Sequence, residues 1–174
     1  MPSILSSIFN RTWTIKDLMN IDQGRQSKAL LCLVNLENIY YELKQDTLLA
    51  KFKKLFSKGN KDKILMSYVI FKFSVVSDSG NINTVIIRTQ PDFNSQMYLN
   101  NRVQIYCTCK DFMYRSAWIL KQHNSLFDSI KTRNKLGDSI VNAPASKTKT
   151  STLCKHSYAA LNYLVNNYNY IMNL

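Results

Sequence analysis

The sequence predicts an α+β fold: N-terminal helices, then a three-stranded antiparallel sheet, then a C-terminal helix. Two patterns predict it. Between Ile64 and Tyr106 apolar and polar residues alternate, the period of a half-buried strand, and turn residues interrupt them. From Lys155 to Met172 the apolar residues recur instead every three or four positions, as on a helix with one buried face. A chain of 174 residues, 45% of them hydrophobic, is long enough to bury one such core.

Residues 1–13 read as an extension in which Phe9 and Trp13 are candidate anchors. Thr14 stands three residues before Asp17, a weaker relative of the capping box, and predicts a short helix that Gly24 interrupts. From Ser27 to about Phe56 the spacing predicts two helices with a break near Asp46. Leu30, Leu33, Val34, Leu36 and Ile39 or Tyr40 supply one apolar stripe; Leu48, Leu49, Phe52, Leu55 and Phe56 supply the next. The run from Ala29 to Leu36 also reads as a strand, but helices are the expectation. Gly59 and Asn60 mark a turn.

The first strand is expected over Ile64–Val76, with Leu65, Val69, Phe71, Phe73 and Val75 on one face. Ser77 to Asn81 predicts a hairpin turn, Ile82–Thr89 the returning strand and Arg102–Tyr106 the third. A helix from about Asp111 to Gln122 is expected to bury Phe112, Ala117, Trp118 and Leu120. Polar and basic loop material fills residues 123–153. The last helix offers Leu161, Leu164, Val165, Tyr168 and Ile171 or Met172 to the core.

The chemistry is concentrated in two short pairs, Cys107-Thr108-Cys109 and Cys154-Lys155-His156. The third strand runs into the first pair and the last helix begins at the second, so the fold can bring them together. Three thiolates and a neutral imidazole are the donors a structural Zn²⁺ prefers, and four such ligands close a tetrahedron. Cys107, Cys109, Cys154 and His156 are therefore the candidate metal ligands and Zn²⁺ the expected cofactor, joining sheet and helix. A helix N-terminus would favour a thiolate there. The plainer reading, ordinary small core residues, requires two one-residue-spaced pairs of ligand type to arise by chance. Cys32, inside an apolar run, reads as a buried free thiol.

Enzyme classes fare badly. The chain has four glycines and no phosphate-binding loop. A Cys154–His156 nucleophile pair conflicts with a metal-bound thiolate, and a closed site has no position for substrate. His123 reads as a solvent-facing or capping residue at a helix end, and Asp111 as a helix cap or a partner to a ligand. No catalytic residue and no small-molecule substrate are expected. The first residues lack the basic leader and apolar run of a signal peptide, and no stretch reaches the length of a membrane span. Thiols in a reducing compartment are expected rather than disulfides.

The formal net charge of +12 favours polyanions, although a filled zinc site trims it to about +11. Lys51, Lys53, Lys54, Lys58, Lys147 and Lys149 are the candidate nucleic-acid contacts. Lysines act as point charges, so any DNA binding would be non-specific. The plainer account is the solvated face of an amphipathic helix.

The run Cys107-Thr108-Cys109-Lys110-Asp111-Phe112, followed by Cys154-Lys155-His156-Ser157-Tyr158-Ala159-Ala160-Leu161, resembles the SWIM zinc finger: Cys-x-Cys, a variable insert, then Cys-x-His. The resemblance spans about residues 102–165 and implies Cys107, Cys109, Cys154 and His156 as the metal ligands. The insert here, 110–153, is longer than the family's usual one. With Phe112-Met113-Tyr114-Arg115-Ser116-Ala117-Trp118 and the Lys147–Thr152 loop, it is similar to the version in virion proteins of tailed bacteriophages. The chain is expected in two parts: an N-terminal extension with helices over 1–60, and a SWIM-like zinc-bound α+β domain over 61–174. The closed ligand set, the absence of a reactive constellation and this resemblance together imply a non-enzymatic structural or assembly protein of the virion and host cytoplasm. Its partners would be other virion proteins or symmetric copies of itself, met through the N-terminal segment and the 123–153 loop. The alternative expectation is a zinc-dependent nucleic-acid-binding accessory protein of the bacterial cytoplasm, without strong sequence specificity.

Overall fold

Four strands, one more than expected, form an antiparallel sheet in the computed structural model, which describes residues 12–21, 26–43, 66–90, 98–127 and 152–173. In chain order they are β1 (Leu33–Leu43), β2 (Met66–Val76), β3 (Ile82–Thr89) and β4 (Val103–Cys107), and they lie side by side in that order. Two short helices, α1 (Ile15–Ile21) and α2 (Gln26–Ala29), precede the sheet. A 3₁₀ turn (Tyr98–Asn100) leads into β4, and a π-helical turn (Phe112–Ser116) continues into α3 (Ala117–Gln122). The long C-terminal helix α4 spans Lys155–Met172. Among the described residues, no helix is long and apolar enough to cross a membrane.

Alternation places Val69, Phe71, Phe73 and Val75 of β2, Val85 and Ile87 of β3, and Val103, Ile105 and Cys107 of β4 in the core. The apolar stripe of α4 meets this layer with Leu161, Leu164, Tyr168 and Ile171 buried. Phe71 meets Tyr168 edge-on at 6.5 Å between ring centroids, and Phe73 meets Tyr163 at 6.1 Å. Each fully buried Phe or Leu contributes about 1.5–3 kcal/mol. Tyr98 stacks on Tyr168 at 4.3 Å and donates its hydroxyl to the Val165 carbonyl at 2.7 Å, so its burial leaves no polar atom unsatisfied. Trp118 and Val165, expected in the core, are half-buried.

The strand β1 replaces the helix expected after Ser27. Only the four-residue α2 precedes it. The half-buried side chains of β1 packed on the core are Val34, Leu36 and Ile39, opposite Val75, Phe73 and Phe71; Tyr41, in register with Val69, is about half exposed. A bulge between Leu36 and Asn38 inserts one residue and changes the steps from two to three and back to two. That step of three, together with the one from Leu30 to Leu33 ahead of the strand, gave the segment its helical look. The second expected helix, over Leu48 to Phe56, and the turn at Gly59 lie outside the described residues.

The reciprocal cap at α1 is present: the Thr14 N–H donates to Asp17 Oδ2 at 2.9 Å and the Asp17 N–H to Thr14 Oγ1 at 3.1 Å. Trp13, expected as a free anchor, packs on its own domain. It is half-buried, stacks on His123 at 3.8 Å, and its carbonyl accepts from the Val103 N–H. Residues 125–127 flank the same edge of β4, with Ile105 N–H donating to Ser125 O and Phe127 N–H to Ile105 O. Phe9 lies outside the described residues. Glu42 faces Tyr68 across β1 and β2, and Arg88 faces Gln104 across β3 and β4; the two pairs lie diagonally and meet at Arg88. Arg88 pairs with Glu42 at 2.7 Å, lies 3.6 Å above the Tyr68 ring and donates to Gln104.

The β2–β3 hairpin turns at Gly80, whose φ of +77° lies in the left-handed region. A Cβ there would meet nothing within 4 Å, so Gly80→Ala carries only the backbone cost. Chemical denaturation should show a loss of about 1 kcal/mol, with an unchanged dependence on denaturant. A neutral substitution would mean the turn relaxes to another type.

Candidate metal centre

β4 ends where its alternation points Cys107 into the core, and the chain then turns away. Thr108 holds the turn to the neighbouring strand: its N–H donates to the Thr84 carbonyl at 3.1 Å and its Oγ1 accepts from the Thr84 N–H at 3.0 Å. This brings Cys109 back beside Cys107. From the other direction, Cys154 occupies the N-cap of α4 in extended conformation, and His156 lies in the first turn. The ligand atoms of Cys107, Cys109, Cys154 and His156 all lie within 4.8 Å of one another, and all four residues are buried. A Zn–S tetrahedron with arms of about 2.3 Å has edges near 3.8 Å, so the cluster is a slightly opened version of that cage.

Each sulfur already accepts a backbone N–H. Cys107 Sγ accepts from Cys109 at 3.5 Å, Cys109 Sγ from Phe112 at 3.3 Å and Cys154 Sγ from Ser157 at 3.3 Å, with Ser157 Oγ a further 3.2 Å contact. Such donors favour thiolates, and at Cys154 the positive end of α4 acts in the same sense. His156 Nδ1 is buried without a hydrogen-bond partner, an expensive arrangement unless a metal ion takes its lone pair. Soft donors, burial and the orphaned nitrogen together fit a closed structural metal site. None of the four cysteines forms a disulfide.

Without an ion the three thiols are pushed in opposite directions, one towards thiolate and two towards thiol. Hydrogen bonds from Cys107 and then Cys154 hold the Cys109 thiol far below the usual range, with His156 adding to the effect. Cys107 is raised, first by its hydrogen bond to Cys109 and then by the one to Cys154, and Cys154 is raised mainly by burial.

Several supporting residues were invisible in the sequence. Lys155 forms an ion pair with Asp78 of the hairpin turn, tying the start of α4 to the β2–β3 connection. The pairing lowers the Asp78 carboxyl and raises the Lys155 ammonium. Asn83 of β3 places Nδ2 3.4 Å from His156 Nε2. Only the hairpin register brings Asp78, Asn83 and Thr84 to the site, so no local motif announces them. Asp111, expected as a cap or ligand partner, makes no side-chain capping bond and pairs with Arg115 at 3.1 Å. His123, expected as a solvent-facing or capping residue, is the C-cap of α3: its N–H donates to the Ile119 carbonyl at 3.3 Å, and its ring is half-buried against Trp13. Cys32, expected in the core, is half-exposed; its Sγ–H points at the Lys28 carbonyl at 3.8 Å, and partial burial raises its thiol pKa. The candidate nucleic-acid contacts Lys51, Lys53, Lys54, Lys58, Lys147 and Lys149 lie outside the described residues.

Because Cys107 and Cys154 are raised and Cys109 lowered, binding one divalent ion at neutral pH should release about two protons. Metal affinity then falls as pH falls, since each thiol must lose its proton to ligate. Calorimetric titration in buffers of different ionisation enthalpy measures the number directly. Release of none would mean the thiols are not the ligands.

Comparison of the chain with protein-family models, with curated proteins and with solved structures gives no match in any of the three. The case for a metal centre accordingly rests on the chain's own geometry.

Proposed function

We propose that this chain is a non-enzymatic structural or assembly protein, a tailed-phage virion component whose α+β domain is pinned by one zinc ion in the manner of a SWIM finger. The observation that carries the structural half is the closed donor set: four buried protein ligands leave a tetrahedral ion no position for substrate. Zinc suits three thiolates and an imidazole better than calcium or magnesium, which take oxygen donors. The long insert after Cys109 is similar to the phage form of the finger and supports a reading in which the protein works in the virion and host cytoplasm.

The assembly half is supported by the open side of the sheet. Leu30, Leu31 and Leu33 are 77%, 64% and 71% exposed, and Tyr40 and Tyr41 about half exposed, along one stretch that ends in edge strand β1. Apolar side chains concentrated on an edge mark a protein-contact surface rather than a solvated one. Its partners in this reading are other virion proteins or further copies of the chain. The net charge of +12 favours the nucleic-acid alternative. Against it, Lys72, Arg88, Arg115 and Lys155 are each paired with a carboxylate, which leaves them little to offer phosphate.

Elemental analysis of the metal-replete chain should find one zinc, and Co²⁺ in its place should show the absorption of a tetrahedral thiolate site. Structural zinc contributes on the order of 10 kcal/mol, so Cys154→Ala should unfold the region from residue 102 onward. Unchanged thermal stability in that variant would remove the structural role.

The assembly reading is tested on gradient-purified particles. The chain should remain particle-bound from about 50 to 200 mM salt, whereas a binder making six phosphate contacts would lose roughly a thousandfold in affinity. Release together with DNA over that range would favour the nucleic-acid alternative.

A further inference from the structure

The two ring nitrogens of His156 stand in different surroundings. Nε2 lies 3.4 Å from the side-chain amide of Asn83, which comes from β3, 73 positions away in sequence. Nδ1 is buried with no hydrogen-bond partner. A neutral imidazole offers a lone pair at one nitrogen only, and the other carries the proton. Nδ1 is therefore the nitrogen available to an ion, and the proton must then sit on Nε2, opposite Asn83.

We propose that Asn83 is the positioning residue of the metal centre: its side-chain oxygen accepts the Nε2–H of His156 and so presents the Nδ1 lone pair to the ion. This rests on the metal-centre reading above. The amide nitrogen of Asn83 faces the ring and also lies 3.4 Å from the Asn81 carbonyl oxygen. A half turn of the amide exchanges nitrogen for oxygen without moving the backbone, and it gives up the long 3.4 Å bond to Asn81, whose carbonyl oxygen would then face Oδ1. Asparagine can thus follow the proton: it donates to Nε2 when Nδ1 is protonated, and accepts from Nε2–H when Nδ1 ligates.

The backbone supports this assignment. Asn83 is fixed opposite Val75 in the β2–β3 register. The next residue, Thr84, makes both of its backbone bonds to Thr108, which stands between Cys107 and Cys109. Two consecutive residues of β3 therefore orient the two halves of the ligand set, Thr84 the cysteine pair and Asn83 the histidine. Oriented ligands of this kind bind more tightly because the imidazole loses less freedom when it coordinates.

Two nearly isosteric substitutions separate proton acceptance from packing. Aspartate keeps the acceptor; leucine fills the space and can neither donate nor accept. Zn²⁺ affinity is read by competition with a chromophoric chelator for the wild-type chain, Asn83→Asp and Asn83→Leu. Asn83→Leu should bind about 10–100-fold more weakly, and Asn83→Asp within about threefold of wild type. Equal weakening of both variants would reduce Asn83 to a packing residue, and no weakening in either would remove its role. A second readout needs no variant: nitrogen–proton correlation spectra of the zinc-loaded wild type should place the His156 proton on Nε2. A proton on Nδ1 overturns the assignment. Failure of all three chains, wild type included, to bind Zn²⁺ would instead overturn the metal centre itself.

Discussion

Four soft donors from opposite ends of the chain must meet in a buried volume, and most of the described architecture follows from that requirement. Buried thiolates repel one another and are poorly solvated, so the cluster needs either protons or an ion to balance its charge. The chain supplies a backbone N–H to every sulfur. That is enough to favour one thiolate, while the other two thiols remain raised. A bound cation would supply the remaining compensation. The meeting of β4 with α4 would then be strong with the ion and unbalanced in charge without it.

The elements around the cluster hold its two halves independently. The cysteine pair is fixed by Thr108 against β3, and Cys154 by its place at the N-cap of an 18-residue helix whose far end packs on Phe71 and Tyr98. An ion bound there would not have to build either half. It would join a sheet and a helix that are each already formed, which is the economical use of a metal in a domain of this size. Lys155, beside two ligands, would be poorly placed at a helix N-terminus on dipole grounds alone. Its pairing with Asp78 converts that cost into a further tie between helix and hairpin.

Sequence periodicity disclosed the sheet from Met66 to Cys107, the last helix and the four donors, because each depends on local spacing. Val69, Phe71, Phe73 and Val75 alternate without interruption, so they read as a strand and are one. β1 was obscured because its bulge at Glu37 breaks the alternation where a helix would take a step of three. Ile39, Tyr40 and Tyr41, all good strand formers, were the better guide there. The supporting residues of the site were illegible for a different reason. Asn83 and Asp78 are ordinary turn and strand residues until the hairpin register sets them against His156 and Lys155.

The sheet is finished on one side and open on the other. At β4 the outer backbone groups are taken by Trp13 and by residues 125–127, so the edge nearest the metal cluster is closed. At β1 the pairing stops, and among the described residues no further strand follows. Its glutamates do not protect it by charge, since Glu37 is spent on Lys72 and Glu42 on Arg88. A strand with neutralised charges and exposed Leu33, Tyr40 and Tyr41 is costly to leave in water, and its bulge gives only partial protection against pairing. Among the described residues the sheet is thus closed beside the four buried donors and unpaired at β1, on its opposite side.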